Sequence, residues 1–479
     1  MTAIDFGSSK IAVACGVRQG GGVKIVSYHD APSSGITHGE ILNDFQVEST
    51  VRELIDKVSE DIGEPVNDVV VGIGAKILHN DNKLFTTVRN AASTAISEAE
   101  IEDITRKRFN THNADDEVVL EAVPERYNID DYIGLDAASL KGMTGKEIET
   151  QFLLVFGKAD IMNRRRNILD RCGLTMRKAV LSPIAAARAV LTEPEAENGA
   201  ALLDIGHGTS ELVIVKDNLV REVATIPFAG ESITRDIKNL TNITSKWAED
   251  VKVAQGCCVE SEIAENSKLL LKDAEGNTVS EIDNVLLSRI VGARMTEILE
   301  AVKYILDNSP YGGKLPSGVI ITGGTAHLGS LRQLAQAVLG RKVRLAAPRT
   351  TITSDSVEAA FDTFASVATG LVLEGFESGL SHAVSFIKKA ERQEEGSASK
   401  GGGIFRNIFG SGSSSNSSSG VQQPPVDKEA ERKKKEEEKK KQQEERKRKA
   451  AEEKAKKQAK DTSWGLFSEL MGNSDDDNV

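Results

Sequence analysis

Aromatic side chains are scarce, at 4% of the 479 residues, which leaves little from which to build stacking platforms for single-stranded nucleic acid. Only four cysteines are present (Cys15, Cys172, Cys257 and Cys258). They show no metal-ligand spacing, and the adjacent Cys257 and Cys258 are poorly placed for a disulfide. A reducing cytoplasm is the expected setting. No apolar run approaches the ~20 residues of a membrane span. The opening MTAIDFGSSK lacks the basic and long apolar regions of a signal peptide. Basic residues are outnumbered overall, for a net charge of −12, but unevenly. Residues 428–460 hold 16 Lys/Arg against nine Glu, and residues 461–479 add five acids and no base, which leaves −14 on residues 1–427. An acidic body speaks against nucleic acid as a partner, whereas the basic stretch suits an anionic surface.

Hydrophobic residues make up 39% and charged residues 28%, an ordinary soluble balance for a chain long enough to hold more than one domain. Through residue 375, strand-like and helix-like segments alternate. The Gly/Ser-rich linker follows, with GSASKGGG, GSGSSSNSSSG and QQPP between 396 and 427. Residues 428–460 have no apolar stripe and suit either a solvated helix or a disordered spacer. Large apolar residues return in DTSWGLFSELMGNSDDDNV.

A weak internal repeat spans the body. Ala3-Ile4-Asp5-Phe6-Gly7-Ser8-Ser9-Lys10-Ile11-Ala12-Val13 echoes Leu202-Leu203-Asp204-Ile205-Gly206-His207-Gly208-Thr209-Ser210-Glu211-Leu212. Each copy reads as strand, glycine turn, strand, so two halves on one plan with a cleft between them are expected. Backbone N–H groups in such a turn make an anion-binding concavity, and Ser8, Ser9 and Lys10 add hydroxyls and a cation. Asp5 would repel a triphosphate directly, so its expected role is through a hydrated Mg²⁺. Asp204, with Gly206, Gly208, Thr209 and Ser210, repeats the logic. A single copy would be read more readily as an ordinary hairpin. Only Met1 and Thr2 precede the first strand, so either the natural start is longer or the strand is short.

Residues 318–322 (GVIIT) read as a buried strand, and Gly323-Gly324-Thr325 then permits close approach by a flat ligand such as adenosine. A helix is expected to run through Leu328, Leu331, Leu334, Ala335 and Val338. Glu249 and Lys252 stand three apart on one helix face, where a surface ion pair is the plain expectation. His207 suits a phosphate donor or a solvent-facing turn residue equally, and Ser182-Pro183 a strand-to-helix corner.

IDFGSSK, LLDIGHGTSE, PFAGESITRDI and IITGG together resemble the phosphate, connecting and adenosine segments of the actin/chaperone/sugar-kinase ATPases. With VLEAVPERYNID and the CGL…SPIAAARAVLTE run, residues 2–375 are most similar to the bacterial cell-division FtsA family. The resemblance implies an α/β, actin-like fold with residues 1–75 and 156–185 as the first half. It implies an inserted subdomain at 76–155 and a second half at 186–375, its small subdomain at about 232–300. The tail then divides into a linker (376–427), a charged spacer (428–460) and a tip (461–479). ATP and Mg²⁺ are the implied cofactors, with Gly230 and Thr234 near the nucleotide and Glu249 and Lys252 near its ribose or base. Gly323, Gly324 and Thr325 would border the adenosine.

The same resemblance implies weak ATPase activity at most and actin-like self-association. Implied partners are FtsZ, docking on the small subdomain, and other division proteins. The implied location is the cytoplasmic face of the cell membrane at the division site, held peripherally by an amphipathic tip. Trp464, Leu466, Phe467, Leu470 and Met471 fit that tip, although it lacks internal Lys or Arg and is followed by Asp475, Asp476 and Asp477. A peptide motif for a protein partner is the other reading of the tip. Ile404, Phe405, Ile408 and Phe409 form a second small apolar patch. Two other functions compete. A sugar or acid kinase would need a catalytic base beyond Asp5, and none stands out. Against a PilM-like protein of pilus assembly, the long charged tail and the SITRDI segment favour the FtsA resemblance.

Overall fold

A computed structural model describes residues 1–376, apart from 21, 112–115, 264–265, 273–274, 350–351 and 355–356. The charged spacer, the tip with Trp464, Leu466, Phe467, Leu470 and Met471, and the 404–409 patch lie outside the described residues, as does the linker beyond Phe376.

Strand β1 (Thr2–Phe6) pairs antiparallel with β2 (Lys10–Gln19), and β3 (Ala200–Ile205) pairs antiparallel with β4 (Ser210–Lys216). β1 also runs parallel to Asp68–Ile73, itself parallel to Thr175–Leu181, while β2 runs antiparallel to Gly22–Pro32. The second sheet repeats every one of these senses. β3 runs parallel to β5 (Val319–Thr322), β5 runs parallel to Val343–Leu345, and β4 runs antiparallel to Leu219–Ile226. The weak sequence echo is therefore a topological repeat of a three-strand meander followed along the chain by two parallel strands.

Both sheets are covered on both faces, so their strands read as nearly continuous apolar runs. Along β3, Ala201, Leu203 and Ile205 join the core of the second half, while Leu202 joins the core shared with the first. Two helices cross between the sheets: α1 (Ser182–Val190) and, at the end of the described chain, Ser366–Phe376. Small residues let them approach closely. A Cβ at Gly370 would lie 1.8 Å from the Ala185 carbonyl oxygen, so any side chain there would push the helices apart. Arg188 of α1 and Lys178 bracket Glu374 of the partner helix at 3.3 and 2.7 Å.

Residues assigned from sequence to 186–375 do not all lie with the second half. Ile352–Thr353 extends the first sheet beside Gly22–Pro32, and Ser366–Phe376 packs on β1 and β2. Local patterning cannot report such a return, because it depends on which core the chain re-enters. Residues His79–Val88, Glu117–Ile129, Tyr132–Leu135 and Glu147–Lys158 form a separate antiparallel sheet. It has its own core around Tyr127, Phe152 and Phe156. Beyond β5 the expected helix starts late. A 3₁₀ turn, Gly324–His327, comes first, and the α-helix is Leu331–Leu339. Ser330, at φ 57, is left-handed and keeps Leu328 out of it. Among the described residues no helix is long and apolar enough to cross a membrane.

Candidate functional site

The two hairpin turns face each other. A Cβ at Gly7 would lie 2.6 Å from the Lys10 carbonyl oxygen, and one at Gly208 would lie 3.0 Å from Ser8 Oγ of the opposite turn. Glycine is required where backbones and hydroxyls crowd this closely. The Gly39 N–H donates to Ser8 Oγ at 3.0 Å and fixes that hydroxyl.

Between the turns lies a cleft of about 640 Å³. Its wall takes Asp5, Gly7, Ser8, Ser9 and Lys10 from the first half, and Asp204, Gly206, Gly208 and Thr209 from the second. Glu249, Lys252, Gly323, Gly324 and Thr325 complete the expected residues that line it. Ser210, Gly230 and Thr234 do not reach the wall. Ser210 turns away and donates to the Phe228 carbonyl at 2.7 Å. Gly230 and Thr234 stand behind Lys252, whose ammonium donates to the Gly230 carbonyl (3.0 Å), Thr234 Oγ1 (2.9 Å) and Glu249 (2.7 Å).

That arrangement corrects the plain reading of the Glu249–Lys252 pair. Helices α2 (Gly230–Thr241) and α3 (Ser245–Gln255) pack together and bury Lys252 to 6% exposure. Burial pulls its pKa below the ordinary lysine value, and Glu249 opposes the fall. Glu249 itself titrates lower than usual. Burial would raise it, but Lys252 and the Thr234 hydroxyl together outweigh that. Gly323 is held from two sides. Its N–H donates to the Thr363 carbonyl (3.2 Å), and Thr363 Oγ1 donates to the Gly323 carbonyl (2.9 Å). Thr325 Oγ1 donates to the Gly206 carbonyl at 2.7 Å, tying the third glycine segment to the second turn.

The electrostatics are dominated by acids. Burial pushes Asp5 up to about 6, with Lys10 and Arg165 opposing. Burial, and then Asp5, pushes Asp204 up to about 7. Glu211 is raised well above the carboxylate range by burial, then by Asp204 and Asp5. Lys10 is leashed rather than free. Its ammonium lies 2.6 Å from Asp30, 2.9 Å from the Tyr28 hydroxyl and 3.6 Å from the centre of the Phe364 ring. Among the described residues no group of three or more His, Cys, Asp or Glu side chains is placed to hold a metal ion. The site instead offers a few buried carboxylates and a glycine-lined cradle, a donor set that fits a cation carried with its own waters beside an anion.

Several lining residues were not assigned from sequence. Glu211 lay inside the quoted motif, and its signal was an acid within a buried strand. Ser182, read as a corner residue, starts α1 and also lines the cleft. His207 lines it too, with its pKa lowered by burial and then by Lys252. Asp30, Asp362 and Phe364 carried no motif at all. They arrive through contacts distant in sequence: Asp30 meets Lys10 across 20 positions, Asp362 pairs with His327 at 2.6 Å across 35, and Phe364 comes from the far end of the described chain to lie under Lys10.

The family described as Cell division protein FtsA matches residues 201–368. The Cell division protein FtsA of Pseudomonas aeruginosa is 27% identical over 350 residues, covering 72% of this chain and 82% of the relative. That of Escherichia coli (strain K12) is 25% identical over 411 residues, covering 84% and 95%. Among solved structures, a chain of the PilM–PilN type IV pilus biogenesis complex superposes with a TM-score of 0.56 at 15% identity. It covers 78% of this chain and 98% of that one, a likeness of fold. The duplicated sheets and crossing helices are an actin-like α/β architecture.

Proposed function

We propose that this chain, like the FtsA cell-division proteins it is similar to, is an ATP-binding, actin-like adaptor. In this reading it self-associates into protofilaments, binds FtsZ, and ties the FtsZ polymer to the inner face of the cytoplasmic membrane at the septum. The observation that carries the nucleotide assignment is the meeting of the two glycine turns and the Gly323–Gly324–Thr325 segment around one cleft.

The amides of both turns, with Ser8, Ser9, Thr209 and Lys10, would hold the phosphates. Asp5 and Asp204 would hold Mg²⁺ through its waters. Glu249 and Lys252 would face the ribose or base, with Gly230 and Thr234 fixing Lys252 from behind. The Mg²⁺ of a bound ATP–Mg²⁺ would supply positive charge beside the crowded carboxylates. Lys10 must exchange Asp30 for the ligand, so binding would reorganise the first turn. Hydrolysis is weak at most in this reading, and the nucleotide chiefly sets the relation of the two halves.

The separate sheet within 76–155 is assigned to contacts with other division proteins, and residues 232–300 to the FtsZ tail peptide. The 376–427 linker and 428–460 spacer give reach, and the tip at 461–479 gives lipid contact. Vesicle co-sedimentation with purified FtsZ tests the whole scheme. The full chain is expected to carry FtsZ down with anionic vesicles, and a chain ending at residue 460 is expected to leave it in solution. FtsZ that stays soluble with the full chain overturns the adaptor role. Sedimentation that survives the deletion moves the membrane contact from the tip to the 404–409 patch.

A further inference from the structure

Arg165, on the helix Ala159–Arg171, is fully buried at 0% exposure. Buried arginines are normally paired with acids, as Arg188 is with Glu374 at 3.3 Å. Arg165 touches no carboxylate among the described residues. Its guanidinium donates to four backbone carbonyls: Gly72 (3.2 Å), Ile161 (3.0 Å), Gly39 (3.0 Å) and Gly74 (3.3 Å). Its carbon lies 5.6 Å from the centre of the Phe6 ring.

Two of those carbonyls belong to loops of the cleft, and that of Gly72 belongs to the strand Asp68–Ile73. Gly39 and Gly74 both line it. They pack so tightly that a Cβ at Gly39 would lie 2.9 Å from the Gly74 carbonyl carbon, and one at Gly74 would lie 3.5 Å from Glu211 Oε1. Gly39 also passes the contact on, because its N–H donates to Ser8 Oγ. One residue thus separates the guanidinium from the first turn. An apolar side chain would fill this space without the desolvation cost of a buried cation, so packing alone does not account for it.

We propose that Arg165 is a positioning residue of the phosphate site. Its fork pins the Gly39 and Gly74 loops, and through Gly39 the Ser8 hydroxyl. Its buried positive charge, one residue behind the first turn, favours the anion that the turn receives. The inference rests on the ATP–Mg²⁺ reading of the cleft.

The test is a titration of the full chain with a fluorescent ATP analogue and MgCl₂, alongside thermal melts. Arg165→Lys keeps the charge and loses the fork, while Arg165→Gln keeps donors and loses the charge. The expected result is affinity about thirtyfold weaker for Arg165→Gln but only about threefold weaker for Arg165→Lys. A purely structural residue would move the melts without separating the two variants in affinity. If Arg165→Gln does not fold, the double variant Arg165→Gln/Glu211→Gln, which also relieves the crowded acid, is expected to fold and to bind about tenfold or more weaker than Glu211→Gln alone. Equal affinity of those two variants overturns the inference. Parent binding with no difference between Arg165→Gln and parent, or equal losses in both single variants, overturns the inference alone. A parent chain that does not bind the analogue overturns the site reading itself, and the inference with it.

Discussion

The hairpins β1–β2 and β3–β4 share a backbone plan and differ in charge. Across the ladder from Asp5 stands Ala12, whereas across from Asp204 stands Glu211. The first turn ends in Lys10, and Arg165 lies behind it. The second turn has no cation among the groups acting on Asp204. The Asp5 carboxyl accordingly sits at about 6 and that of Asp204 at about 7. Like charges set opposite each other destabilise a sheet pair, so the second hairpin carries a cost that the first avoids. Duplication kept the geometry that cradles an anion. Divergence left one hairpin with its own cations and the other in need of one from a ligand.

Removing the carboxylate on the needy side should have the largest effect. Asp204→Ala is expected to weaken ATP–Mg²⁺ binding at least about hundredfold while the melting temperature holds or rises, because a crowded buried acid is gone. Unchanged nucleotide affinity in a titration would remove the site assignment.

The turns themselves can be compared next. A Cβ at Gly7 would meet backbone, the Lys10 carbonyl oxygen, at 2.6 Å, whereas one at Gly206 would lie 3.2 Å from the Thr209 carbonyl oxygen. Gly7→Ala should therefore lower stability by about 2 kcal/mol and Gly206→Ala by less than about 1 kcal/mol. Equal costs in urea melts would mean that the turns are equally tight.

The smallest change makes the second hairpin resemble the first. Glu211 holds its proton in the folded chain to a pH well above its ordinary value of 4.5, whereas the unfolded chain releases it near that value. The stability from the neutral acid is complete below the unfolded pKa and is lost as pH rises through the folded one. Glu211→Gln cannot lose it. Without metal, the variant should match the parent near pH 4 and exceed it by on the order of 1 kcal/mol at pH 8. A stability difference that stays flat across this range would contradict the crowding of Glu211 with Asp204.

Much of the architecture was legible in contiguous residues. A strand, a glycine turn and a second strand are set by neighbours in sequence, so both hairpins and the strand at 318–322 could be read directly. The reading of Lys252 as a surface partner failed because its burial depends on α2 packing against α3. Lys10 could be recognised as a cation of the turn, but not as one held by Asp30 and Phe364. Ser330 took a left-handed conformation that no apolar periodicity announces, which is why the helix after β5 began late.

By itself the sequence determined that two halves would be built on one plan, since backbone conformation follows from local residue types and apolar spacing. It also marked off a Gly/Ser-rich and charged tail by composition. Tertiary structure alone decided which charges meet. Glu211 faces Asp204 across a ladder, Arg165 reaches loops 91 and 126 positions away, and Ser366–Phe376 returns to the first sheet. The physical reason is that a charge takes its energy from everything around it in space, and most of those neighbours are distant in the chain.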